Sequence, residues 1–204
     1  MREAAAAVHG LAELDGRGVE AAGRTDMAIA RDLLAASGVG PEAIDARAPE
    51  VAAATVAAFE RLCPPDLSGK VAPGIPELLE ALSGRPQEYR LSLVTGNLEP
   101  VARLKLERAG LGHWFPSGQG GFGSDHESRA ELPGIARRRF SDPPHPRERT
   151  VVIGDTPRDI ACARADEVRV AAVATGPFAI EALADADAVV DDARALAPVL
   201  ADLA

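Results

Sequence analysis

The chain has 204 residues, 47% of them hydrophobic and 26% charged, an ordinary globular balance that excludes a disordered tail. A formal net charge of −9 excludes a non-specific binder of nucleic-acid backbones, and no apolar run approaches the roughly 18 residues that cross a membrane. Met1-Arg2-Glu3 followed by alanines lacks a signal-peptide layout, and Cys63 and Cys162 fit no zinc or disulfide spacing, so a cytoplasmic protein with reduced, packing cysteines is expected.

Residues 1 to about 68 read as a small all-helical unit. Met1 to Leu14 forms one helix. Thr25-Asp26 supplies an N-cap before the apolar face Ile29, Leu33 and Leu34, and Gly38 and Gly40-Pro41 end that helix. Pro49 to Leu62 gives a third, stopped by Pro64-Pro65. From residue 69 the pattern alternates between strands and helices. Ile75 to Leu82 is a helix, Tyr89 to Val94 a strand, and Glu99 to Ala109 a helix closed by Gly110. Gln119 to Gly123 is a weak strand, Glu127 to Phe140 a helix, Thr150 to Ile153 a strand and Arg158 to Ala165 a helix. Val168 to Val173 and Ala188 to Val190 are strands, the latter between two Ala-rich helices. Such alternation specifies an α/β domain with a Rossmann-like parallel sheet over residues 69–204, carrying the helical unit as a cap.

Ligands of such sheets bind beyond the carboxyl ends of the strands. Two strand ends are polar. Thr95-Gly96-Asn97 offers a hydroxyl, a permissive glycine and the start of a helix; this is either a phosphate cradle or a plain capping turn. Gly154-Asp155-Thr156-Pro157-Arg158-Asp159 places two carboxylates one turn apart. Asp155 and Asp159 suit Mg²⁺, a hard cation that takes oxygen ligands, and this is the favoured reading; the alternative, compatible with it, is N-capping by Asp155 and a helix-dipole contact by Asp159.

Together these residues resemble the haloacid dehalogenase (HAD) superfamily, and its phosphoglycolate-phosphatase-like branch in particular. Leu91-Ser92-Leu93-Val94-Thr95-Gly96-Asn97 is similar to that family's second motif, which binds the phosphoryl group. Residues Gly154 to Asp159 are similar to the fourth, which holds Mg²⁺. Ala72 to Leu79 resembles the return from cap to core, and Gly23-Arg24-Thr25-Asp26 a cap loop, which makes Arg24 and Thr25 candidate substrate contacts. The third motif is a single cation, for which Lys105 and Arg129 compete. Lys105 is preferred, since side chains lean toward a helix's amino end; Arg129 follows Gly123-Ser124-Asp125, where the family more often has its lysine.

The resemblance implies a Mg²⁺-dependent phosphatase acting on a small phosphorylated metabolite. It departs at the first motif. The family's Asp-x-Asp, whose first aspartate attacks phosphorus, ends a central strand that has no counterpart before the cap, and Leu14-Asp15-Gly16 is no substitute. The expectation is a core that lacks its first central strand, a natural start roughly 15–25 residues upstream of Met1, and no turnover by these 204 residues alone. A sugar-phosphate mutase and a non-catalytic HAD-like protein binding phosphate or a partner are the alternatives.

Overall fold

The computed structural model describes residues 1–203. Three helices, α1 (Arg2–Val8), α2 (Asp26–Ala36) and α3 (Pro41–Leu62), pack around Ala5, Ala30, Leu34, Ile44 and Val51. Two of them differ from the sequence reading. α1 stops well before Leu14, because Gly10 takes a left-handed φ of 68° that turns the chain out of the helix. α3 begins at Pro41 and runs through Pro49 instead of starting there. Proline at the first turn costs nothing, since that N–H is unpaired in any helix. Pro49 does remove an interior hydrogen bond, but a continuous helix keeps Ile44 and Val51 buried on one face.

The remaining elements alternate: α4 (Ile75–Ser83), β1 (Val94–Thr95), α5 (Glu99–Arg108), β2 (Gly121–Phe122), α6 (Leu132–Phe140), β3 (Val151–Gly154), α7 (Pro157–Ala165), β4 (Arg169–Val173), β5 (Ala188–Val190) and α8 (Leu196–Leu203). The helix expected from Glu127 starts only at Leu132, after a single 3-10 turn. The start fits Pro133, since proline favours a helix's first turn. Of the two Ala-rich helices expected around β5, only α8 forms; the first is a 3-10 turn at Ile180–Leu183.

All strand pairs are parallel, as the alternation requires, but the strands form two sheets: β1-β2 and β3-β4-β5. β4 is the central strand of the larger one. Its side chains alternate between two buried clusters, Ala171 and Val173 facing Leu78, Leu196 and Leu200, and Val170 and Ala172 facing Ile160, Ala163 and Leu183. Helices therefore cover both faces, as in a doubly wound domain. No strand among the described residues joins the two sheets, so β1 and β3 each pair along one edge only. The expected strand Tyr89–Val94 shortens accordingly to Val94–Thr95, and Ile153 on β3 is left 41% exposed. Among the described residues no helix is long and apolar enough to cross a membrane.

Side chains connect the two halves beneath the strand ends. Asp166, after α7, accepts two hydrogen bonds from Arg137 of α6, at 2.7 and 2.8 Å, and both side chains are buried. This clamp fixes the helix that follows Arg129 against the helix that carries Asp159. Asp166→Ala would leave the Arg137 charge buried and unpaired, and should lower the unfolding free energy by about 3–5 kcal/mol in urea titrations. A loss below about 1 kcal/mol would show that the clamp is unimportant.

Candidate active site

The start of α7 is built by one carboxylate. Pro157 opens the helix and Thr156 caps it; the Thr156 hydroxyl accepts the Asp159 N–H (3.2 Å). Asp159 answers with Oδ2, which accepts from the Thr156 N–H (3.0 Å), the Thr156 hydroxyl (2.8 Å) and the Asp155 N–H (3.1 Å). Its Oδ1 accepts from the Arg129 guanidinium. Asp159 is 5% exposed and both its oxygens are engaged. The N-cap expected of Asp155 falls instead to Thr156, and Asp159, expected as a metal ligand or a helix-dipole contact, closes a capping box with it.

Asp155 is different. No other residue among those described donates a hydrogen bond to its carboxylate. Burial, and then the Asp159 charge, push its pKa up, while Arg129 opposes the shift. Gly176 lies directly against it: a Cβ there would sit 2.3 Å from Asp155 Oδ2. A half-buried carboxylate that no other described residue serves as donor suits a hard cation. Among the described residues no group of three or more Asp, Glu, His or Cys side chains is placed to hold a metal ion. The residues present thus fit Mg²⁺ as one carboxylate ligand, with water filling most of the shell.

At the end of β1, the Thr95 hydroxyl accepts the Asn97 N–H (3.2 Å) and keeps its own proton free to donate. The Asn97 side chain points both ways: its Nδ2 donates to Asp26 (3.1 Å), and its Oδ1 accepts from Lys105 Nζ (2.7 Å). Lys105 does lean back to the start of its helix, but its partner there is Asn97 and not a β3 carboxylate. The two candidate cations are therefore separated. Arg129 stands against Asp159 and Asp155 with its Nε buried and unpartnered, whereas Lys105 faces the cap.

The cap loop crosses both strand ends. A Cβ on Gly96, after β1, would lie 2.1 Å from the Arg24 carbonyl, and one on Gly23 would lie 2.8 Å from the Thr156 hydroxyl. Residues 23–25 therefore bridge the end of β1 and the start of α7. Thr25 caps α2 and donates to the Glu127 carbonyl (2.6 Å), so it is a structural pin. Arg24 turns to Asp32 and the Ala28 carbonyl instead of toward the strand ends. Asp26 is a site residue the sequence reading missed. It accepts the Leu98 N–H (2.9 Å) as well as the Asn97 amide, and so ties the turn before α5 to a loop 72 residues earlier. Its visible signal, Thr-Asp before a helix, announces only a local cap.

Two family models match this arrangement. The haloacid dehalogenase-like hydrolase model covers residues 5–164 and the HAD-hydrolase-like model residues 130–202. The chain belongs to the haloacid dehalogenase-like hydrolases. No curated protein matches it. Among solved structures, it is similar to a HAD hydrolase of family IA, variant 3, from Entamoeba histolytica (15% identity, 99% of this chain and 88% of that one, TM-score 0.60). It is also similar to a hydrolase from Pseudomonas syringae (21% identity, 81% and 74%, TM-score 0.56). A third is CbbY from Rhodobacter sphaeroides in complex with phosphate (19% identity, 78% and 68%, TM-score 0.53). These likenesses establish the HAD α/β fold.

The raised pKa of Asp155 has a consequence for stability. The folded chain holds a proton on this group at pH values where the unfolded chain has released it, so metal-free stability falls as pH rises through the raised value. Asp155→Asn removes that loss. In the absence of divalent ions its Tm should exceed the wild-type Tm at pH 8, and the difference should close below about pH 4, where the carboxylate is protonated in both states. A wild-type Tm equal to or above that of the variant at pH 8 would contradict the assigned burial of Asp155.

Proposed function

We propose that this HAD-family chain is the Mg²⁺- and phosphoryl-binding body of a phosphatase for a small phosphorylated metabolite. The observation that carries the reading is the pairing of opposites at the end of β3: the Asp155 carboxylate has no donor and the neighbouring Arg129 Nε has no acceptor. Each lacks the partner that a metal phosphate would provide. The phosphate held by the solved relative CbbY supports it further.

Bound Mg²⁺ would supply charge neutralisation for the phosphoryl oxygens. Asp155 would hold the ion. Thr95 would donate its free hydroxyl proton to a phosphoryl oxygen, and Arg129 would donate from Nε while Asp159 fixes its orientation. Asp159 would act on the ion only through water or through Asp155. Geometry thus favours Arg129 over Lys105 for the third-motif role. The cap helices would exclude water and select the substrate. Asp26 and Asp159, the other carboxylates described at these two strand ends, are committed to hydrogen bonds that hold the turns, so among the described residues no free carboxylate is left there to act as nucleophile. These residues alone should bind without hydrolysing p-nitrophenyl phosphate.

Thermal unfolding tests the binding. Mg²⁺ should raise the Tm, and inorganic phosphate should raise it further, with about 2.7 kcal/mol of stabilisation at a hundredfold excess over Kd. Asp155→Asn should abolish the Mg²⁺ increment and Thr95→Val the phosphate increment. Equal Mg²⁺ stabilisation of wild type and Asp155→Asn would remove the metal assignment, and Mg²⁺-dependent hydrolysis by the wild-type chain would remove the claim that it only binds.

A further inference from the structure

Apart from its own N–H, no described group donates a hydrogen bond to the Asp155 carboxylate. The last torsion of an aspartate has only a broad preference of its own, so another contact must fix where the oxygens lie. Gly176, in the loop after β4, supplies that contact. A Cβ built there would sit 2.3 Å from Asp155 Oδ2, 2.9 Å from its Cγ and 3.2 Å from its Cβ, so the bare Cα rests against the whole carboxyl end of the side chain.

The loop is held on both sides of this contact. β4 pairs with β3 as far as Gly154 and Ala172, and the Ala174 N–H still reaches the Val190 carbonyl of β5 at 2.8 Å. After Gly176, Pro177 fixes its own φ and restricts the residue before it. The 3-10 turn Ile180–Leu183 follows, anchored by the fully buried Leu183. Gly176 is not among the glycines with a left-handed φ, so its backbone does not itself demand glycine; the demand comes from the space. A methyl group at this position would meet a side chain that has to move. An ordinary contact needs about 3.5 Å, so Oδ2 would retreat by roughly 1 Å.

We infer that Gly176 is a positioning residue, whose missing side chain seats the Asp155 carboxylate for the ion and so sets how sharply the site distinguishes Mg²⁺ from Ca²⁺. The inference rests on the proposed ion at Asp155. Mg²⁺ demands near-ideal octahedral ligands, whereas Ca²⁺ accepts larger and less regular shells. Displacing the carboxylate therefore weakens Mg²⁺ more than Ca²⁺. Gly176 acts only through Asp155, and the Asp159 and Arg129 charges on the other side of that carboxylate are unchanged by a methyl group in the β4 loop.

A double-mutant cycle tests the contact without metal. In the absence of divalent ions, Gly176→Ala should lower the Tm of the wild-type chain by about 3 °C or more. In Asp155→Ala, where only the 3.2 Å approach to Cβ is left, the same change should leave the Tm unaltered or raise it. A Gly176→Ala chain that unfolds alone and folds again with Asp155→Ala is the extreme form of this result. An equal loss in both backgrounds overturns the positioning. Calorimetric titration then tests the ion. Gly176→Ala should weaken Mg²⁺ about tenfold or more and Ca²⁺ several-fold less, which shifts the ratio of the two Kd values toward Ca²⁺. Unchanged Mg²⁺ affinity, or both ions weakened alike as a merely loosened fold would give, overturns the inference. If Mg²⁺ fails to bind the wild type, the proposed function fails and the ion preference with it. The metal-free cycle then decides the positioning separately: coupling between Gly176 and Asp155 supports it, and additivity overturns it.

Discussion

The carboxylate of Asp159 is the interaction on which the candidate site depends. It closes the first turn of α7 by accepting from Asp155, Thr156 and the Thr156 hydroxyl, and it holds Arg129. One group therefore sets the end of β3 and the orientation of the Arg129 guanidinium and, after burial, contributes to the raised pKa of Asp155. A buried carboxylate is tolerable only when its lone pairs are filled. Here they are filled by the groups that define the site, so folding energy and site geometry are the same set of bonds.

The second constraint is the division of the sheet. β1 and β3 each have one unpaired edge among the described residues, and the Gly23–Asp26 loop lies across the ends of both. Bulk would prevent this at Gly96, where a Cβ would meet the Arg24 carbonyl. Asp26 and Thr25 then tie the loop to Leu98 and Glu127 on the core. The cap is thus coupled to the Thr95 turn through Asp26, Asn97 and Lys105.

Much of this was legible in the chain. The alternation of apolar runs after Val71 specified the parallel α/β core, and strands β3, β4 and β5 fall within a residue of their expected bounds. The polar strand ends marked the candidate site, although the Thr95 turn was also open to a plain capping reading. Helix limits around proline were less legible. Pro49 marked a start by local propensity, whereas burial of Ile44 and Val51 kept the helix continuous, a tertiary effect that no window of sequence contains. The choice between Lys105 and Arg129 had the same difficulty. Local lean of a side chain was read correctly for Lys105, but its destination depends on Asp26 and Asn97, which chain distance hides. The role of Gly176 had no sequence signal, since it is defined by a side chain beyond another strand that lies against it.

A crystal structure of the chain grown with Mg²⁺ and tungstate, a phosphate mimic, would test the central claim most directly. The expected result is an ion on Asp155 and an oxyanion within hydrogen-bond reach of the Thr95 hydroxyl and Arg129 Nε, with Asp159 still closing the first turn of α7. An oxyanion bound elsewhere with Thr95 and Arg129 Nε left bare, or an ion ligated directly by Asp159 with its cap broken, would contradict the account.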